Sequence, residues 1–157
     1  MDPRLVKEQA HAIYDALVKA VPDHQNEFRS NLKVFEEELD KTDQEIRNIL
    51  QRSSHQHFLT LHPSFGYFAS AYGLEQISIE SEGKEPEPQA LIRLIELAKA
   101  KRIGTVFVQP QSASKIAETL AQALQAKIAP LDPMAYDYSE NLLSIARTLQ
   151  KDLNDKP

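Results

Sequence analysis

No cysteine occurs among the 157 residues, which excludes a disulfide framework and a thiolate metal site alike. An excess of basic charge is lacking too. Eighteen Lys and Arg against 23 Asp and Glu leave a net charge of −5 and no basic stripe, so a nucleic-acid footprint is excluded. No apolar run approaches the length that spans a bilayer. Met1-Asp2-Pro3-Arg4 is not followed by the apolar stretch of a secretory signal. A Gly-rich phosphate loop, a G-x-S-x-G elbow and an H-E-x-x-H helix are all missing. With no assembled catalytic machinery legible, an enzyme is the weaker class. There is no internal repeat and no low-complexity segment.

What is present divides into a helical arm and an α/β body. At 17.8 kDa and 41% hydrophobic content, the chain has the material for one domain with a real core. Asp2-Pro3 opens a helix, Asp as N-cap and Pro in the first turn, with Leu5, Ile13, Leu17 and Val21 on one face. Pro22-Asp23 restarts the chain. Phe28, Leu32, Phe35, Leu39, Ile46 and Ile49 then recur at helical spacing, and this face is expected to be buried. Its outer side, Glu36 to Glu45, is charged and reads as solvated. Together residues 1–52 form a long helical hairpin. Beyond Ser53-Ser54, short apolar runs alternate with helices: strands at 56–62, 76–80, 104–108 and 126–131, helices near 64–72, 87–102, 113–125 and 137–153. That rhythm predicts an α/β fold in 53–157, a four-stranded parallel sheet flanked by helices with right-handed crossovers. Ile103 to Val108 is almost wholly apolar, as suits a central parallel strand.

The most informative local pattern is Leu59 to Gly73, LTLHPSFGYFASAYG. Pro63 disfavours helix at the residue before it, so His62 is expected to stand extended where a strand ends. Ser64 is placed to cap the next helix, Gly66 to admit another backbone, and Gly73 to end the helix left-handed. In open α/β sheets ligands sit beyond the carboxyl ends of the strands. Those ends collect His62, Glu80-Ser81, Gln109-Pro110-Gln111 and Asp132-Pro133, which share one edge if the strands are parallel. A histidine with a carboxylate suits zinc or manganese as part of a larger ligand set. The plainer alternatives are a His62 satisfied by backbone and an Asp132 that caps a turn. His55 and His57 form a further pair at a strand start. His11 and His24 are expected on the surface, and Tyr136 and Tyr138 are expected to pack as a loop anchor. A small α/β enzyme or regulatory ligand-binding module using His62 as acid or base remains the alternative function.

From His62-Pro63-Ser64-Phe65-Gly66-Tyr67-Phe68 onward the chain resembles the C-terminal half of the zinc/manganese substrate-binding proteins of bacterial ABC importers. The resemblance continues through Ile79-Glu80-Ser81-Glu82-Gly83-Lys84-Glu85-Pro86, Val108-Gln109-Pro110-Gln111 and Leu131-Asp132-Pro133-Met134, and covers 1–153. It implies that His62 is a metal ligand, with Asp132 completing the site as an aspartate does in some members. Histidine at 62 tilts the metal toward zinc, with manganese as the alternative. Gln109 and Ser112 depart from the glutamate and phenylalanine of the family pattern. The resemblance also implies a longer protein, with an N-terminal lobe carrying two earlier histidine ligands, the second of them a few residues ahead of a pair matching Asp2-Pro3. On that basis 1–52 holds the interlobe helix and hairpin, and 53–157 is the C-terminal lobe with about half of a metal site. Export to the periplasm or cell surface, an ABC importer permease as partner, and self-association of the separate lobe through its exposed helix are the further expectations.

Overall fold

The computed structural model describes residues 1–51, 53, 55–81, 83–111 and 114–154. Helix α1 (Pro3–Ala20) and helix α2 (Gln25–Leu50) are joined by a short 3-10 turn at Pro22–His24 and form the expected hairpin. The body alternates β1 (His57–Thr60), α3 (Gly66–Ala71), β2 (Glu75–Ser78), α4 (Pro88–Ala100), β3 (Thr105–Val108), α5 (Lys115–Leu124), β4 (Lys127–Pro130) and α6 (Tyr138–Asn154). Within the sheet every strand pairing is parallel, in the order β2-β1-β3-β4. The four-stranded parallel sheet is therefore as the alternation of short apolar runs and helices predicts. Arg52, Ser54, Ala113 and Ser112, at or near the expected element boundaries, lie outside the described residues, as does Glu82. No described helix is long and apolar enough to cross a membrane.

Side chains alternate across the pleat, so each central strand feeds two cores. Phe58 and Phe107 face one, built with Phe65, Phe68, Ile46, Leu142, Leu149 and their neighbours from α2, α3 and α6. Leu59, Leu61 and Val106 face the other, with Ile77, Ala98 and Leu120 under α4 and α5. Val106 at 0% exposure and Phe107 at 2% show why the 103–108 run carries no polar alternation.

The strands are shorter than the apolar runs suggest. Their ladders nevertheless continue: the Leu61 N–H donates to Phe107 O at 2.8 Å, Glu80 N–H to Leu61 O at 3.0 Å, and Leu131 N–H to Val108 O at 2.8 Å. His62 accordingly sits in a bend two residues beyond β1 rather than as its last residue. Three local expectations are corrected. Phe65, not Ser64, precedes the first turn of α3, and no side chain caps it. What lies nearest a Cβ added at Gly66 is the Gln76 side-chain oxygen at 3.9 Å, so no backbone makes a close approach there. Tyr136 is fully exposed; only Tyr138 packs against the core. Gly73 does end α3 with a φ of 69°, and Leu74 N–H returns to Ala69 O at 2.9 Å.

Asp2 caps α1 as expected, accepting the Arg4 N–H at 3.0 Å, and its carboxylate also takes the Arg4 guanidinium at 2.9 Å. The hairpin face is buried only near the body. Leu39 and Ile46 are fully enclosed, whereas Phe28, Leu32, Phe35 and Ile49 are half-buried. Toward its tip, α1 and α2 leave an apolar groove of about 300 Å³ lined by Ile13, Leu17, Phe28 and Leu32.

Candidate metal centre

The strand order decides which polar ends become neighbours. Along the carboxyl edge the sequence is Glu80 after β2, His62 after β1, Gln109 after β3 and Asp132 after β4. Glu80 is thus adjacent to His62, while Asp132 stands two strands away, roughly 10 Å between strand axes.

His62 is 31% exposed and its Nδ1 is in direct contact with Oε2 of Glu80, whose side chain is only 12% exposed. An ionised carboxylate can only accept, so Nδ1 carries a proton, and in the neutral imidazole the lone pair is then on Nε2. This is the arrangement that orients a metal-binding imidazole, fixing its tautomer and raising its basicity. The backbone of the same turn is tied down from β2 and β1. The His62 carbonyl accepts from Thr60 Oγ1 at 2.8 Å, from Gln76 Nε2 at 3.0 Å and from the Ser64 N–H at 2.9 Å. Gln109 Nε2, on the strand between the two candidate ligands, donates to Ser64 Oγ at 3.0 Å.

Asp132 is half-buried and its Oδ1 accepts the Met134 N–H at 2.9 Å, the short turn that the plainer alternative anticipates. Oδ1 keeps a second lone pair, and the backbone carbonyl of Asp132 is held by Asn141 Nδ2 at 2.9 Å. Among the described residues no three His, Asp or Glu side chains converge on a common point. His55 and His57 are at the opposite edge of the sheet, with His57 Nε2 at 3.7 Å from Glu75. His11 pairs with Glu36 and His24 with Glu27 on the hairpin surface, as expected. Ser112 lies outside the described residues.

Glu80 is visible in the sequence as a strand-end carboxylate, but its role as partner of His62 is not. Gln76 and Thr60 escape sequence reading altogether. Gln76, Ser78 and Glu80 alternate with Ile77 and Ile79, which reads simply as the wet face of an edge strand.

The match to the family model of periplasmic zinc-uptake complex component A, ZnuA, runs over residues 1–152. The chain belongs to the ZnuA family. The ZnuA protein of a high-affinity zinc uptake system in Bacillus subtilis is 29% identical over 136 residues, 85% of this chain and 43% of that protein. The zinc-binding protein AdcA of Streptococcus pyogenes serotype M6 is 34% identical over 124 residues, 78% of this chain and 24% of that one. A crystal structure of a ZnuA deletion mutant with zinc bound matches with a TM-score of 0.93 at 38% identity, covering 99% of this chain and 60% of that one. The chain thus spans 60% or less of each of these relatives. ZnuA-family membership favours metal transport over the alternative of a small enzyme or regulatory module.

Proposed function

We propose that this chain captures zinc for delivery to an ABC importer, that His62 and Asp132 are ligands, and that it catalyses no reaction. The observation that carries this is the His62–Glu80 contact: a histidine at the carboxyl edge of a parallel sheet, its Nδ1 held by a mostly buried carboxylate, in a ZnuA-family chain. Nothing about a strand cap requires that carboxylate. Zinc takes imidazole nitrogen and carboxylate oxygen readily and has no coordination preference that two protein ligands alone could satisfy. Water must complete the sphere on this segment, and further ligands must come from elsewhere in a longer protein. Manganese, a harder ion, would favour a carboxylate at position 62. The expected setting is the periplasm or cell surface, with the permease docking against the rim of the cleft.

Calorimetric titration of the chain with zinc chloride tests the reading. Affinity is expected to be micromolar or weaker, about −8 kcal/mol or smaller in magnitude. His62→Ala is expected to abolish binding and Asp132→Ala to weaken it. Undiminished binding by His62→Ala, or nanomolar binding by the chain alone that survives both changes, would show that the site lies elsewhere.

A further inference from the structure

The carboxamide of Gln76 is spent entirely on the six residues that carry His62. One amide hydrogen goes to Thr60 Oγ1 at 2.6 Å and the other to the His62 carbonyl at 3.0 Å. The amide oxygen accepts the Phe65 N–H at 3.0 Å. Thr60, 2% exposed, passes its own hydroxyl proton to the same His62 carbonyl. Pro63 has no N–H with which to brace the turn, so the bracing comes from a side chain of the neighbouring strand. That side chain is well placed: Gln76 pairs with Phe58 in the β1–β2 ladder and leans toward the carboxyl edge. Glu80, which holds the imidazole, follows the same strand. The backbone and the ring of His62 are therefore both referenced to β2.

We propose that Gln76, together with Thr60, is a positioning residue for zinc capture: its carboxamide sets the His62 turn, and so sets where Nε2 stands relative to Glu80 and Asp132. This rests on His62 being a ligand. An unbraced turn would let the imidazole leave Glu80, exchanging one tautomer and one position for several. Outer partners of metal-binding histidines are worth about ten- to a hundredfold in metal affinity. A hydrogen-bonded brace one step farther out is expected at the low end of that range.

The experiment compares zinc affinity by calorimetry, on the whole chain, for Gln76→Met, Thr60→Val, His62→Ala and Ile145→Val. Circular dichroism at the titration temperature confirms that each is folded. Gln76→Met keeps the length of the side chain and removes its hydrogen bonds, and Thr60→Val removes the hydroxyl alone. Each is expected to weaken zinc binding about tenfold. The ring ¹⁵N resonances of His62 are expected to move from a single Nδ1–H tautomer toward an averaged signal. Ile145→Val, a core change in α6 that removes none of the turn's hydrogen bonds, is expected to lower the melting temperature and to leave both affinity and resonances unchanged. Should His62→Ala abolish binding while Gln76→Met and Thr60→Val stay within about twofold of the parent, the brace is refuted and the ligand assignment stands. Should His62→Ala itself leave affinity unaltered, the ligand assignment falls and the brace with it. If Gln76→Met fails to fold, Thr60→Val alone decides.

Discussion

At His62 and at Asp2 a single side chain does its work through partners that sequence reveals only in part. His62 was legible because its two signals are local: an apolar run ends there and a proline follows. Its partner was not, because Glu80 reaches it only through the pairing of β2 with β1, a contact across 18 positions of sequence. Asp2 is the reverse case, a cap read directly from Asp-Pro and then reinforced by Arg4. Burial pushes the Asp2 carboxyl up, but the hydrogen bonds and charge of Arg4 outweigh it and hold the group below the ordinary carboxylate range. A carboxyl depressed in the folded state adds stability above its unfolded pKa of about 3.9, and that stability is lost as pH falls through the folded value. Asp2→Ala is therefore expected to cost about 1 kcal/mol in urea unfolding at pH 7. The difference from the parent should shrink steadily below about pH 4. A gap that stays constant down to pH 2 would mean that packing of the buried Asp2-Pro3 segment, rather than charge, makes the contribution.

Among the elements, those with strong periodicity came through and their ends did not. The 28-to-49 repeat is the helix α2, and the apolar 103–108 run is the central strand β3. Ser64 is not the cap because α3 begins at Gly66 and Phe65 takes the capping position, while the Ser64 hydroxyl accepts from Gln109 just beyond β3. Burial along α2 also divides in a way the repeat alone does not show. Leu39 and Ile46 meet the body, whereas Phe28 and Leu32 line the groove shared with Ile13 and Leu17. Ile13 is 60% exposed, Leu17 42% and Val21 43%, so the outer half of the hairpin presents a contiguous apolar strip to water. Burying such a strip gains about 25 cal/mol per Å², enough for weak association of like copies. Light scattering of the chain alone is expected to show a dimer that dissociates on dilution. Ile13→Lys with Leu17→Lys is expected to leave a monomer with an unchanged melting temperature. A strict monomer at high concentration would show that the groove does not drive association.

For the molecule as a whole, what governs is that the two proposed ligands lie on one sheet edge, where a bound zinc is expected to face open water. His62 and Asp132 follow strands β1 and β4, which β3 separates, and the described residues offer no group of three His, Asp or Glu able to close a coordination sphere. Each ligand that replaces a water in a zinc site adds affinity, and a site shut between two surfaces adds more by excluding solvent. The resemblance implies such a second surface, an N-terminal lobe expected to bear two histidines. Helix α1, 18 residues without glycine, is the expected interlobe helix, and α2 is 26 residues and about 39 Å long, so both are stiff. Closure on zinc is thus expected to be small, since stiff helices rather than a flexible hinge lead into this lobe. An N-terminal lobe of a ZnuA-family protein, joined ahead of Asp2 or added as a separate piece, is expected to raise zinc affinity by several orders of magnitude. Each tenfold step corresponds to about 1.4 kcal/mol, so two added ligands and lost solvent exposure together account for such a gain. His62→Ala in the reassembled protein should cost more than it does in the single lobe, because it then breaks a complete sphere rather than a hydrated one. If affinity after reassembly remained micromolar, the two lobes would not share an ion, and the cleft-bound zinc assigned to this family member would have to be abandoned.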